Sequence, residues 1–313
     1  MRKLWAIALV AIFCLASAPA VAAQDPALSV PEPVLDSAVS CPSSFVNPSH
    51  EPVLLVHGTG ATAQENWSWN YGIMLPSKGY DVCTVDLPQR ALGDIQISSE
   101  YVVWAIRKMS AASGRKVDIL THSQGGLEAR WALKWWPSTQ NSVDDLITLG
   151  APHHGVFNGN IAGPAAVWQM LAGSNFLRAL NSGDETPGSV SYTSIWSRTD
   201  EIVQFLGGDR PTSLLDGGTS IALQDICPMR HVGHVSLLFD SMAFALVMDA
   251  LSQQGPADPA RVGTAPCLTL AVPEMSSPTS ALMAISLLLG LLNTGFGGVV
   301  PAEPALAPYA QGS

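Results

Sequence analysis

Residues 121–126 read Thr-His-Ser-Gln-Gly-Gly and set Ser123 between a short apolar run and two glycines. A serine hydroxyl attacks a carbonyl only when a base takes its proton, and the base works best when a carboxylate fixes its ring. The apolar run Val117–Leu120 reads as a strand, and Leu127, Trp131 and Trp135 recur at i, i+4 and i+8, as on one face of a helix. Strand, nucleophile and helix in that order form the sharp turn written G-x-S-x-G. Thr121 replaces the first glycine of that pattern, while Gly125 and Gly126 supply the small residues a crowded turn needs. The turn lifts the Ser123 hydroxyl to the end of the sheet. It also aims the Gln124 N–H at the anion that forms when a carbonyl is attacked. The bland alternative is a serine in an ordinary strand-to-helix loop, and the full Ser-Gln-Gly-Gly context argues against it.

Such turns are followed in chain order by an acid and then a histidine. Strand Tyr192–Trp196 ends at Arg198-Thr199-Asp200-Glu201, which sets a carboxylate just past a strand terminus, where sites of open parallel sheets collect. Asp200 is the expected acid, with Glu201, Asp209 and Asp216 as alternatives. Of His153, His154, His231 and His234, only the last two follow it. His234 directly precedes an apolar helix read over 235–251 and is the expected base, with His231 a loop residue. Gly58-Thr59-Gly60, after the strand Val53–His57, allows close backbone approach and offers Thr59 as a second anion donor, by its N–H and by its hydroxyl.

These residues need a frame. Short apolar runs at Val53–His57, Asp81–Asp86, Val117–Thr121, Leu146–Leu149, Tyr192–Trp196 and Ile221–Ile226 alternate with longer segments. Ser98–Ser113 carries Val102, Ile106 and Met109 on one face, with Ser98 or Ser99 as N-cap and Gly114 as stop; Gln124–Trp136 is a second helix, ended by Pro137. Alternation on this scale predicts an α/β fold, a mostly parallel central sheet with helices on both faces.

Of the 313 residues, 47% are hydrophobic and 13% charged, which excludes a disordered chain; the length allows two domains or one large domain with appendages. A net charge of -10 repels phosphate backbones, so nucleic acid is not an expected partner. Arg2 and Lys3 precede an apolar run, and Val21, Ala22 and Ala23 form a signal-peptidase site, so 1–23 reads as a cleaved signal peptide and the protein as secreted. Cys14 falls within that leader. Cys41, Cys83, Cys227 and Cys267 remain, an even number with no C-x-x-C spacing, which favours two disulfides over a metal site; no cofactor is expected. Residues 24–48, rich in Pro and Ser, read as an extended arm; 49–270 as the catalytic domain; 271–313 as an apolar helix and tail.

The chain resembles the α/β-hydrolases of the Candida antarctica lipase B family, from about Cys41 to Tyr309. The resemblance rests on Pro52-Val-Leu-Leu-Val-His-Gly-Thr-Gly60, Gly79-Tyr80, Cys83, Thr121-His-Ser-Gln-Gly-Gly-Leu127, Thr199-Asp-Glu-Ile-Val-Gln204, Gly233-His234, Ser236-Leu237, Glu303-Pro304 and Pro308-Tyr309-Ala310. It implies a triad of Ser123, Asp200 and His234, an oxyanion hole of Thr59 and Gln124, pairings Cys41–Cys83 and Cys227–Cys267, and Ile202 in the pocket wall. Two departures stand out. His122 occupies the place of a tryptophan that floors a small pocket in the family, which changes the alcohols that fit. Leu149-Gly-Ala-Pro-His-His-Gly155 resembles bacterial triacylglycerol lipases instead, and so suggests a bacterial relative; His153 and His154 could line the acyl side, with packing or solvated loop roles as alternatives.

Ala281–Leu292 is apolar all round and too short to span a bilayer. The resemblance implies a helix packed over the entrance and suited to transient contact with a lipid interface. A membrane anchor and a plain core helix are the alternatives. The expectation is a secreted, monomeric serine lipase or carboxylesterase acting on acylglycerols or related esters. The rivals are a polyesterase or cutinase-like enzyme, an acyltransferase, and a noncatalytic lipid-binding protein.

Overall fold

The computed structural model describes residues 24–46, 49–156, 163–204, 211–275, 278–292 and 298–312. The leader 1–23 and Asp209 lie outside them.

Seven strands form one sheet: β1 Val39–Ser40, β2 Val53–Val56, β3 Val82–Val85, β4 Val117–His122, β5 Val143–Leu149, β6 Ser191–Trp196 and β7 Thr219–Ala222. Their spatial order is β1-β3-β2-β4-β5-β6-β7; β1 pairs antiparallel to β3 and the other neighbours are parallel. The chain starts with helix α1 Glu32–Ser37, and α2 Ala63–Trp67 and α3 Tyr71–Ser77 lie between β2 and β3. The long α4 Ile95–Ser113 leads into β4, and α5 Gly125–Trp135 leads out of it. Short helices α6 Ala165–Gln169 and α7 Asn175–Leu180 precede β6; α8 Leu223–Ile226, α9 Ser241–Ser252, α10 Pro259–Val262 and α11 Pro278–Leu292 follow β7.

The period-two alternation of strand β2 explains the layers. Leu54 and Val56 face one apolar cluster, shared with Val102, Ile106, Leu127 and Trp131 of α4 and α5. Val53 and Leu55 face the other, shared with Trp67, Tyr71, Leu246 and Val247 of α2, α3 and α9. All four strand side chains are fully buried, and each contributes roughly 1.5–3 kcal/mol relative to exposure. Helices therefore cover both faces, and β4, which ends just ahead of Ser123, is buried along its whole length.

Four elements differ from the sequence reading. The arm is not wholly extended: Leu35, fully buried, anchors α1, and Val39 and Ser40 join the sheet opposite Val85 and Thr84. One apolar anchor in a Pro-rich stretch leaves no period to read. Helix α4 starts three residues earlier than Ser98, because the Asp94 side chain accepts the Gln96 N–H and caps it. The run 221–226 divides into β7 and α8 at Ala222. The apolar stretch after His234 is a 3₁₀ turn, Val235–Leu238, followed by α9, because Asp240 caps Met242 and Ala243 and starts a new helix.

The structure joins Cys41 to Cys83 and Cys227 to Cys267. No helix among the described residues is long and apolar enough to cross a membrane.

Candidate active site

Ser123 follows directly on β4 and adopts φ 55°, a left-handed backbone that serine rarely takes. Its N–H donates to Leu149 O at 2.9 Å, so the end of β5 holds the strained turn in place. Gly58 stands across from it: a Cβ there would lie 2.9 Å from Ser123 Cβ, so only glycine lets the two loops close on each other.

Asp200 and His234 meet from separate loops. His234 Nδ1 lies 2.7 Å from Asp200 Oδ2 in a fully enclosed contact, while Asp200 Oδ1 accepts the N–H groups of Ile202 at 2.9 Å and Val203 at 2.8 Å. Because a carboxylate only accepts, the imidazole proton sits on Nδ1. That leaves the Nε2 lone pair free; Nε2 is buried and has no hydrogen-bond partner among the described residues. Burial opposes ionisation of both groups. The charge and hydrogen bond of Asp200 nevertheless raise the His234 pKa, and those of His234, with the two N–H donors, lower that of Asp200.

The surrounding residues fix this pair. Glu201 Oε2 accepts the His234 N–H at 3.0 Å, so Glu201 holds the base's backbone while Asp200 holds its ring. Buried Arg230 bonds to Asp240 at 2.6 Å and to the carbonyls of Thr269 and Leu270 at 2.7 Å, which anchors the loop ahead of His234. Gly150, at φ 60°, leaves room for the pair: a Cβ there would lie 3.2 Å from Asp200 Oδ2 and 3.3 Å from His234 Nδ1. His231 is exposed, and His154 pairs with Glu185 at 3.2 Å.

On the other side, Thr59 Oγ donates to Gln124 Oε1 at 2.5 Å. Buried His57 positions the loop that carries Thr59. Its Nε2 accepts the Leu87 N–H at 2.9 Å, so its proton is on Nδ1, which lies 2.9 Å from Gly58 O. The sequence reading had no role for His57, Arg230 or Gly150 and offered Glu201 only as an alternative acid; His-Gly at a strand end and Gly at the end of β5 were the available signals.

A small cavity is lined by Gly58, Thr59, Asn66, His122, Ser123, His234, Val235 and Leu287. It holds the serine and the histidine together, and Leu287 brings α11 to it. His122 is buried, with Nδ1 3.1 Å from Asn66 Oδ1 and Nε2 3.3 Å from His234 O. Ile202 and His153 are not among the lining residues: Ile202 packs against the larger apolar cluster, and His153, fully buried, lies 3.2 Å from Thr148 Oγ. The arrangement has the parts for attack on an acyl carbonyl: a serine hydroxyl on a strained turn, an imidazole whose Nε2 has no partner among the described residues, and the adjoining Thr59 and Gln124 with their backbone N–H groups.

Comparison with known proteins agrees with this geometry. Residues 52–205 match the palmitoyl protein thioesterase family. Over 328 residues the chain is 32% identical to lipase B of Pseudozyma antarctica, covering 99% of this chain and 95% of that protein. The crystal structure of Aspergillus fumigatus lipase B superimposes with a TM-score of 0.85 at 34% identity, covering 92% of this chain and 74% of that one.

Proposed function

The chain belongs to the lipase B family of α/β-hydrolases and is a serine ester hydrolase; from that premise we propose that Ser123, His234 and Asp200 perform the reaction through an acyl-enzyme. His234 Nε2 takes the proton of Ser123 as Oγ attacks the ester carbonyl, and returns it to the oxygen of the leaving alcohol as the tetrahedral intermediate collapses. Asp200 keeps the imidazole in the Nδ1–H form and stabilises the imidazolium. Thr59 and Gln124 donate their N–H groups to the oxyanion. Water then enters by the same route and releases the acid. An alcohol in place of water would give acyl transfer from the same intermediate.

The observation that carries this reading is the Asp200–His234 contact at 2.7 Å, which turns Nε2, without a partner among the described residues, to the cavity that Ser123 and His234 line. Acylglycerols are the proposed substrates, because α11 presents Leu282, Ile285 and Leu289 outward while Leu287 reaches the cavity. An exposed apolar face of this kind suits transient contact with a lipid surface. The two disulfides support secretion, with 1–23 as its signal. The segment Leu149–Gly155 supports a bacterial source.

The test compares initial rates on a soluble butyryl ester and an emulsified long-chain triacylglycerol, with Ser123→Ala as the blank. Faster turnover of the emulsion is expected for a lipase; preference for the butyryl ester would make it an esterase. Labelling by a fluorophosphonate probe, lost in Ser123→Ala, is expected in either case, and labelling that survives the substitution would sink the assignment of the nucleophile.

A further inference from the structure

Glu128 lies one turn into α5 with no solvent exposure. The helix buries Leu127 and Trp131 around it in an apolar cluster, so an aliphatic side chain would be the ordinary choice at this position. Its only hydrogen-bonded side-chain partner among the described residues is an amide: Gln124 Nε2 donates to Glu128 Oε1 at 2.7 Å and to Ala91 O at 2.8 Å. The other end of that amide, Oε1, accepts the Thr59 hydroxyl. Ala91 O can only accept, so the amide cannot turn over without opposing two oxygens. The hydrogen bonds run without a gap from Glu128 through Gln124 to Thr59.

We propose that Glu128 is a positioning residue, which sets the Gln124 amide and through it the Thr59 loop so that both backbone N–H groups converge on the oxyanion. This rests on the reading of Thr59 and Gln124 as the oxyanion donors. The second oxygen, Oε2, is buried and has no partner among the described residues, and none of these forms an ion pair with Glu128. The charged and titratable groups of the neighbouring elements are otherwise engaged. His57 bonds to Leu87, Arg90 pairs with Glu65, Glu100 accepts from Ser29 and Val30, and Arg107 and Lys108 pair with Asp25 and Asp36. Burial raises the Glu128 pKa to about 8, and the Gln124 hydrogen bond only partly offsets that. At neutral pH the group is a neutral acid beside the site; above that value its charge opposes the negative charge that builds on the substrate oxygen.

The experiment measures kcat and KM from pH 6 to 10 for wild type, Glu128→Leu and Glu128→Gln, with melting temperatures as the control for folding. Glu128→Leu removes the acceptor and should lower kcat roughly tenfold with little change in KM, since an aligned oxyanion donor acts in the transition state. Glu128→Gln keeps an acceptor oxygen and should recover most of that loss. It should also abolish the fall in kcat that the wild type shows as pH rises through about 8. Equal kcat in wild type and Glu128→Leu, or an alkaline fall unchanged in Glu128→Gln, overturns the proposal. Gln124→Ala and Thr59→Val separate the two levels. If both lose kcat while the Glu128 variants do not, only the role of Glu128 fails; if neither loses kcat, the oxyanion reading fails with it.

Discussion

His122 and His234 hold their rings 4.8 Å apart and tilted by 36°, yet they titrate in opposite directions. Burial, and then the proximity of His234, pulls His122 down to about 3, whereas Asp200 pulls His234 above its ordinary 6.5. The base must be neutral to accept the serine proton, so kcat/KM should rise with pH through a limb above 6.5, separate from the alkaline fall expected of Glu128. His122→Gln should leave that limb where it is. Asp200→Asn should move it to lower pH and cut kcat by about 10⁴-fold, the scale for loss of the correct tautomer; a pH–rate profile with each variant checks both.

The same pair has a stability signature. Asp200 is depressed from 3.8, so its contribution is present above that value and is lost as pH falls through its folded pKa. His234 is raised from 6.5, so its contribution is present below that value and is lost as pH rises through its folded pKa. Subtracting the Tm-versus-pH curve of His234→Gln from that of wild type should therefore give a difference largest between the two windows, near pH 5–6.

Gly150→Ala should damage the site more than the fold. A left-handed backbone costs an alanine about 1–2 kcal/mol, and the new methyl group would press on Asp200 and His234 at 3.2 and 3.3 Å. Displacing the base by a fraction of an ångström should lower kcat at least tenfold, approaching the roughly 10²-fold cost of a 1 Å error. Circular dichroism melting and steady-state kinetics on a soluble ester separate the two effects.

Asp118→Asn should stabilise the protein at alkaline pH. Asp118 on β4 and Asp145 on β5 are 2% and 4% exposed, at the end of the sheet remote from Ser123. Burial and then the charges of Asp145, Asp144 and Glu51 raise Asp118 well above 3.8, and burial with Asp144 raises Asp145 to about 7. Raised carboxyl groups bind protons more tightly in the folded state, so stability declines as pH rises from about 4 towards 7 and above. At pH 8 the substitution should raise Tm by about 2–4 °C, the change that about 1 kcal/mol makes in a chain of this size, and should do nothing at pH 4. Differential scanning calorimetry at the two pH values decides it.

His122→Trp should narrow the small cavity that His122 and Ser123 line. Esters of bulky secondary alcohols should lose kcat/KM by about tenfold or more relative to ethyl esters, the range of a steric mismatch in an apolar pocket. Competition between the two alcohols in one reaction measures the ratio directly.

The readability of this chain follows the range of the forces involved. Local signals spoke clearly: the unbroken apolar run at Val53–Val56 marks a strand buried on both faces, and Ser-Gln-Gly-Gly between strand and helix marks Ser123. The acid and base came from chain order, because Asp200 and His234 each sit at an element boundary. What was hidden depends on contacts between distant segments. Glu201 reads as a neighbour of the acid and acts on the backbone of the base; His57 reads as a strand end and fixes a loop thirty residues away at Leu87. Asp94 and Asp240 cap helices that apolar periodicity alone starts too late or runs together. His153 and Ile202 carried pocket expectations from resemblance, yet neither lines the cavity, whose side chains include Asn66, Val235 and Leu287.

Strand β1, two residues long and tied down by Cys41–Cys83, has a consequence beyond the single molecule. It runs along the outer side of β3, pairing Val39 with Val85 and Ser40 with Thr84. A bare strand margin is a template on which a second chain can add itself. Opening that one cross-link frees the shield, so Cys41→Ser should promote self-association of a protein whose catalytic groups, on the opposite side of β2, are still in place.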